Sequence, residues 1–325
     1  MPTSCGSSSR RTPSTRASCS GSSEQRPRAA ERVASGAVEL GLLGRPVSHS
    51  LSPVLHEAAL GAVGLRGRYR LHDVGEGELA GWVARLREGE VDGLNVTIPH
   101  KIAAAGLCDR LVGPAAALGV VNTLARGADG QVEGSNTDVV GLRRAIAAAF
   151  PSTPIVGAPV CVIGAGGAAH AAVLAAAAFS PSQIRVANRT ADRGRALVSR
   201  LSSVVDVPLV ALSRFEDAAA GAALLLQATS YGMGLTPGSR EWESAYDKLR
   251  PVVGALGPAA GVMDLVYRPP VTVWCAAAHH ADKLAAAGLQ MLVNQAVESF
   301  GRWTGRRVDP GIMMTAAKEA LATGR

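Results

Sequence analysis

Two residues of this 325-residue chain have types and spacing suited to moving a proton. Lys101 closes the run Leu-Asn-Val-Thr-Ile-Pro-His-Lys at 94–101, where a strand gives way to a helix. Asp138 follows Gly134-Ser135-Asn136-Thr137 at a second strand-to-helix junction, and Asn122 ends the strand between them. Open α/β folds place their sites at the carboxyl ends of strands. An ammonium beside a carboxylate there can protonate a carbonyl that is receiving hydride, with the carboxylate orienting the ammonium. Desolvation lowers a lysine's pKa and a nearby carboxylate raises it. Spacing alone leaves a plain surface salt bridge open as well.

A second group suits a dinucleotide. The apolar strand Val160-Cys161-Val162-Ile163 runs into Gly164-Ala165-Gly166-Gly167-Ala168-Ala169 and then a helix. In such a G-x-G-x-x-A turn the first glycine allows the bend and the second lets the backbone approach a pyrophosphate. The small third residue lets helix and strand pack closely, and the helix N-terminus offers amide donors. The next strand ends in Asn188-Arg189-Thr190, with Arg193 a turn later. An acid at that point holds the ribose 2′-hydroxyl of NAD, whereas arginines grip a 2′-phosphate by charge-assisted bonds. The arginines predict NADP. Two other readings stay open: arginines that are merely solvated, and Asp192 between them serving a ribose.

A third group is His49-Ser50-Leu51-Ser52-Pro53. Ser52 before Pro53 reads as an N-cap with proline at the first helical position. Alternatively, the Ser50 and Ser52 hydroxyls bind an anionic or polyhydroxylated substrate at that helix start.

These residues need a scaffold, and from residue 37 the pattern supplies one. Strands are expected at 38–43, 69–74, 93–98, 119–125, 131–133, 160–163, 184–187, 209–210, 222–228 and 261–266. Helices are expected at 52–64, 78–88, after Pro99, at 139–150, after Ala169, at 192–201 and, two or three of them, from about Ala276. Alternating strands and helices with continuous apolar strands argue for parallel α/β architecture covered on both faces.

Composition narrows the class. At ~150 residues per domain the length suggests two domains, and 47% hydrophobic with 18% charged residues suits a sizeable core. Aromatics are only 4%, so small and aliphatic side chains must fill it. The cysteines, Cys5, Cys19, Cys108, Cys161 and Cys275, are scattered without a C-x-x-C pair, which argues against a disulfide scaffold and a structural zinc site. Buried thiols in a reducing, cytoplasmic setting follow. No window reaches the ~20 apolar residues of a membrane helix. Of the net charge of +7, residues 1–36 contribute +4, and the body lacks the basic, aromatic-flanked face that nucleic acid requires. Residues 1–36, rich in Ser and Arg, read as a disordered or low-complexity extension, residues upstream of a mis-assigned start, or an organelle transit peptide.

Taken together, the ordered segments resemble the shikimate dehydrogenase family, in the wider group of NADP-dependent shikimate/quinate dehydrogenases. They are 44–53, Asn95 to Lys101, 119–123, 134–138, 164–169, 188–190 with Arg193, 228–230, 264–267, and 288–293 with Gln295. The resemblance implies NADPH-dependent reduction of 3-dehydroshikimate to shikimate in aromatic amino-acid biosynthesis. Lys101 and Asp138 fall on the family's catalytic pair. Ser50 and Ser52 fall on its carboxylate-binding serines. Thr97, Asn122, Tyr267 and Gln295 fall on residues that hold ring hydroxyls and carboxylate. Gly164, Ala165, Gly166, Gly167, Ala168 and Ala169 match the pyrophosphate loop. Asn188, Arg189, Thr190 and Arg193 match the 2′-phosphate clamp, and Leu265 and Gly288 lie beside the nicotinamide.

The implied fold is a discontinuous N-terminal α/β substrate domain (37–138 and 289–325) around an NADP-binding Rossmann domain (139–288), with C-terminal helices packing back on the first domain. A small-molecule substrate, a monomer or homodimer, and no metal, nucleic acid or membrane partner complete the expectation. Gln227, Ser135, Val273 and Gln290 depart from residues common in the family (asparagine, aspartate, proline and glycine). A quinate/shikimate dehydrogenase is the alternative enzyme, and a non-catalytic NADP- or shikimate-binding regulator the alternative class.

Overall fold

The structure, a computed structural model, describes residues 37–323. Residues 1–36, with Cys5 and Cys19, lie outside the described residues, as does the reading given to them.

A strand that is apolar on both faces belongs inside a sheet. β1 (Val38–Gly44) is one, buried nearly throughout. It lies between β2 (Gly67–Asp73) and β3 (Gly93–Val96), parallel to both. Helices α1 (Ser52–Ala62) and α2 (Leu79–Glu88) make the crossovers, and α3 (Lys101–Ala105) follows Pro99. Then come β4 (Arg110–Leu111), α4 (Pro114–Leu118), β5 (Thr123–Arg126), β6 (Val132–Ser135) and α5 (Thr137–Ala149).

The first sheet has the order β2-β1-β3-β5-β6-β4, and β5 runs antiparallel to both β3 and β6. This corrects the expectation of parallel strands throughout. The turn at 127–131 is too short for a crossover helix, so it can only reverse the chain. Gly130 takes φ +83 there, and Asp129 Oδ1 accepts the Gln131 N–H at 3.1 Å. The reversal positions the site. The start of β5, not its end, shares an edge with the ends of β1, β3 and β6: Asn95 pairs with Thr123, and Thr123 with Ser135.

The second sheet is parallel throughout. It is built from β7 (Pro159–Ile163), α6 (Gly167–Ala177), β8 (Gln183–Ala187), α7 (Ala191–Leu201), β9 (Leu209–Leu212) and α8 (Phe215–Ala219), then β10 (Leu224–Gln227), α9 (Arg240–Gly254), β11 (Gly261–Asp264), α10 (Val273–His280) and β12 (Leu284–Ala287). Its order, β12-β11-β10-β7-β8-β9, is that of a dinucleotide-binding Rossmann sheet, with the reversal of winding between β7 and β10.

The chain then returns to the first sheet. α11 (Leu289–Thr304) packs along α5, and α12 (Pro310–Ala322) packs on α1. Phe300, Trp303 and Met313 share one core with Leu40, Leu55 and Tyr69, and Trp303 Nε1 donates to the Leu124 carbonyl at 2.9 Å.

In that core His56 is fully buried, stacked on Tyr69 at 4.4 Å between ring centroids. Neither ring nitrogen has a hydrogen-bond partner. Burial pushes its pKa down to about 3, with Asn95 only partly opposing this. The unfolded chain therefore binds a proton at His56 that the fold refuses, so stability is lost as pH falls below the ordinary histidine value of 6.5. His56→Phe should flatten this acid limb in thermal unfolding scanned against pH. Parallel curves for variant and parent would exclude His56 as the source.

Candidate active site

The carboxyl edge of the first sheet gathers the polar residues. β3 ends before Thr97, whose N–H donates to Leu43 O at 2.9 Å. The turn that follows is anchored by His100, which is buried and lies with Nε2 2.7 Å from Val74 O. Because a carbonyl only accepts, that nitrogen carries the proton. His100 thus fixes the start of α3, where Lys101 sits. α5 begins just past β6, so Asp138 lies in its first helical turn rather than ahead of it. The positive end of a helix favours a carboxylate at that position.

Lys101 Nζ lies 2.5 Å from Asp138 Oδ2, with the two side chains 14% and 7% exposed. The surface-salt-bridge reading does not describe a pair this sheltered. Asp138 Oδ1 accepts from Asn122 Nδ2 at 2.8 Å. Asn122 Oδ1 accepts the Thr137 N–H at 2.7 Å. Gln295, in the second turn of α11, brings Oε1 to 3.5 Å from Asn122 Nδ2 and 3.4 Å from Thr137 Oγ1. The pair therefore sits in a fixed polar cradle made by β5, α5 and α11.

Ser52 does not cap α1. The helix starts at Ser52 itself, with Leu51 as the preceding residue and no side-chain cap. Instead Ser50 Oγ lies 3.1 Å from Ser52 Oγ and accepts the Ser52 N–H at 3.2 Å. The phenol of Tyr267, just past β11, joins them. Burial pushes its pKa up, opposed by the Leu51 backbone, Arg268 and the Ser50 hydroxyl. Three hydroxyls from both halves of the chain thus meet at one place.

The glycine loop after β7 abuts the lysine. Gly164 takes φ +125, a conformation open to glycine alone in practice. A Cβ placed on Gly167 would lie 3.1 Å from Lys101 Cδ, so the loop and the lysine stem are in contact. Gly166 precedes α6, and the N–H groups of residues 165–168 make no hydrogen bond to protein among the described residues. Ala169 is buried between helix and strand. Past β10, Ala228 and Thr229 flank Gly164. Leu265 and Gly288 lie in contact: a side chain on Gly288 would overlap the Leu265 carbonyl.

At the far end, Asn188 Nδ2 donates to Thr190 O at 2.9 Å. Arg189 and Arg193 are exposed and form no ion pair among the described residues. Asp192, the acid offered as a ribose ligand, is engaged by Arg195 on its own helix. Free amides at a glycine turn and two unengaged guanidiniums beyond it fit a 2′-phosphorylated dinucleotide. Among the described residues no group of three His, Cys, Asp or Glu could hold a metal ion, and no helix is long and apolar enough to cross a membrane.

Comparison with known proteins agrees over most of the chain. The family model of the shikimate dehydrogenase substrate binding domain matches residues 42–124, that of shikimate / quinate 5-dehydrogenase 148–236, and that of the shikimate 5'-dehydrogenase C-terminal domain 288–318. A shikimate dehydrogenase (NADP(+)) of Geobacter metallireducens is 38% identical over 294 residues, 87% of this chain and 96% of the relative. The chain belongs to the shikimate dehydrogenase family. Shikimate 5-dehydrogenase from Thermus thermophilus, solved with NADP(H) and shikimate, superposes with a TM-score of 0.72 at 32% identity, over 87% of this chain and 99% of that one. Quinate dehydrogenase from Corynebacterium glutamicum, solved with NAD, gives 0.76 at 30% identity over 87% and 99%. The α/β fold with a substrate-binding N-terminal part and a Rossmann part is that of the family.

Two departures from common family residues have structural accounts. Gln290 turns along α11 to Asn294 Oδ1 at 3.1 Å. Gln227, at the end of β10, has the reach to bind three acceptors: Thr229 O at 3.2 Å, Tyr231 O at 3.1 Å and Asp264 Oδ1 at 3.2 Å. It ties the loop beside Gly164 to the end of β11. Neither His100 nor Asp264 was singled out as an anchor from the sequence, although each is a polar residue closing an apolar run.

Asp264 is fully buried, and its Oδ2 has no partner. Burial pushes its pKa up to about 7, against the Val266 N–H, Thr272 and Gln227. The folded state therefore keeps a proton that the unfolded chain releases above the ordinary aspartate value of 3.8. Its contribution to stability is full below that value and is lost as pH rises through about 7. Asp264→Asn should gain thermal stability relative to the parent as pH rises from about 4 to about 7, as read by melting temperature. A constant offset across that range would place the proton elsewhere.

Proposed function

We propose that this chain catalyses the NADPH-dependent, reversible reduction of 3-dehydroshikimate to shikimate in aromatic amino-acid biosynthesis. The observation that carries the reading is the sheltered Lys101–Asp138 pair, 2.5 Å apart and in contact with the nucleotide loop at Gly167.

NADPH, when bound, supplies a hydride from nicotinamide C4. The chain's residues do the rest. Lys101 Nζ gives its proton to the carbonyl oxygen as charge develops there, and takes it back from the hydroxyl in the reverse direction. Asp138 Oδ2 holds the ammonium, and Asn122 holds Asp138 by its other oxygen. Ser50, Ser52 and Tyr267 take the substrate carboxylate, while Thr97, Asn122 and Gln295 take ring hydroxyls. Gly164 to Ala169 bind the pyrophosphate. Asn188, Arg189, Thr190 and Arg193 bind the 2′-phosphate, and Leu265 and Gly288 border the nicotinamide.

Residues 37–138 with 289–325 form the substrate domain in this reading, and 139–288 the NADP domain. The packing of α12 against α1 supports that division, with α5, against which α11 packs, as the seam. A cytoplasmic location fits Cys108, Cys161 and Cys275, which are free thiols.

NAD-linked quinate oxidation is the nearest alternative. Two unengaged arginines, with no free acid beside them, favour NADP over NAD. Retention of both Lys101 and Asp138 favours an enzyme over a binding regulator. The deciding assay follows NADP⁺ reduction with shikimate and repeats it with NAD⁺ and with quinate. Quinate turnover with NAD⁺ exceeding shikimate turnover with NADP⁺ would reverse the assignment.

Lys101→Ala should lower kcat by ~10²–10⁴, the range for a lost acid–base group. Near-normal turnover at saturating substrate would remove Lys101 from the chemistry. Arg189→Ala should raise KM for NADPH and leave NADH little changed, and steady-state kinetics with both cofactors reads this out. An equal effect on the two would refute the 2′-phosphate contact.

A further inference from the structure

Beneath Asn122 lies a cluster of three hydroxyls that the mechanism above does not use. Thr123 Oγ1 is 2.9 Å from Ser299 Oγ and 3.2 Å from Thr137 Oγ1, and the last two are 3.1 Å apart. Thr123, Thr137 and Ser299 come from β5, α5 and α11, and all are buried. With Thr123 and Ser299 at 0% exposure, neither can touch substrate or cofactor.

The surrounding donors and acceptors fix the orientation of the Asn122 amide. Asn95 Nδ2 lies 3.0 Å from Asn122 O and 3.1 Å from both Thr123 Oγ1 and Ser299 Oγ. Tyr69 Oη donates to Asn95 Oδ1 at 2.8 Å, which fixes that amide's orientation. The Thr123 hydroxyl donates to Asn122 Oδ1 at 3.1 Å, beside the Thr137 N–H. Ser299 donates to Gln295 O, one turn back on α11, at 3.0 Å. With its carbonyl end held by two donors, Asn122 can turn only its NH₂ group toward Thr137 Oγ1, at 2.9 Å, and Asp138 Oδ1, at 2.8 Å. An inverted amide would set N–H against N–H, leaving buried donors unsatisfied.

We propose that Thr123 and Ser299 are positioning residues for the reaction. They lock the Asn122 amide and the α11 turn that bears Gln295, and so set the angle at which Asp138 meets Lys101. This rests on the dehydrogenase reading. Turnover of shikimate by the parent enzyme tests that reading separately from the variants.

The test compares Thr123→Val, Thr123→Ser, Ser299→Ala and the Val/Ala double variant. The readouts are kcat, KM for shikimate and for NADP⁺, the pH dependence of kcat, and melting temperature. Valine keeps the volume and deletes the hydroxyl. Thr123→Val should lower kcat by ~5–30-fold, since a small misplacement of reacting groups is costly. KM for NADP⁺ should stay unchanged, and the pH profile of kcat should differ from the parent's, because the Asn122 amide that holds Asp138 is no longer fixed. Thr123→Ser should restore kcat and profile. Ser299→Ala should show a smaller loss, ~2–5-fold, and the double variant should lose no more than Thr123→Val, because both act through one network. A folded Thr123→Val enzyme with parental kcat and pH profile overturns the proposal, as do losses that multiply in the double variant. If Thr123→Val does not fold, Ser299→Ala decides: parental kcat and profile overturn the proposal, and a lowered kcat with a shifted profile supports it.

Discussion

An ammonium and a carboxylate taken out of water together lose several kcal/mol of hydration each, roughly, and regain it only with good geometry and further hydrogen bonds. The Lys101–Asp138 pair meets that condition. One carboxylate oxygen takes the lysine and the other takes Asn122. The first turn of α5 adds its dipole, and His100 pins the turn from which the lysine rises. Much of the first sheet reads as the means of holding this pair. The reversed β5 is the decisive element, because it delivers Asn122 and Thr123 to the same edge as the ends of β1, β3 and β6. A β5 parallel to its neighbours would have put its start at the opposite edge.

The two sheets also share the site at two contacts. On one side the glycine loop after β7 touches the stem of Lys101 through Gly167. On the other, Tyr267 reaches the Ser50–Ser52 hydroxyls from the end of β11. In the proposed reaction a proton donor and a hydride donor must approach one carbonyl within about half an ångström of the productive arrangement. Glycine at 167 allows that approach, and a side chain there would press on the lysine. The buried link from Gln227 to Asp264 does a comparable job within the second sheet, joining the loops that follow β10 and β11.

Much of this was legible in the residues. The glycine turn after an apolar strand announced the Rossmann half, because its strand, loop and helix are adjacent in sequence. Lys101, Asp138 and the arginine pair were legible by residue type at strand ends. What the sequence hid depended on distance or on weak local signals. Thr123 and Ser299 stand 176 positions apart, and no periodicity links them. β12 is a leucine and three alanines without β-branched residues. α9 holds Pro251, which argues locally against a helix, although Trp242, Ala245, Leu249 and Val252 trace its buried stripe. Ser52 carried a convincing cap signal, yet its hydroxyl faces Ser50. The β5–β6 hairpin was legible as two close strands, at 119–125 and 131–133, but the reversal of β5 that their short connection imposes was not.

The return of α11 and α12 to the first sheet has a consequence for biosynthesis. Phe300, Trp303 and Met313 complete a core begun by Leu40 and Leu55. A ribosome emits the chain from the amino end, so the leading strands emerge long before their covering helices exist. The all-parallel sheet, contiguous in the chain, has its whole complement of strands first. The leading segment keeps an apolar face uncovered until those helices have been synthesised, which prolongs the exposure of its hydrophobic surface.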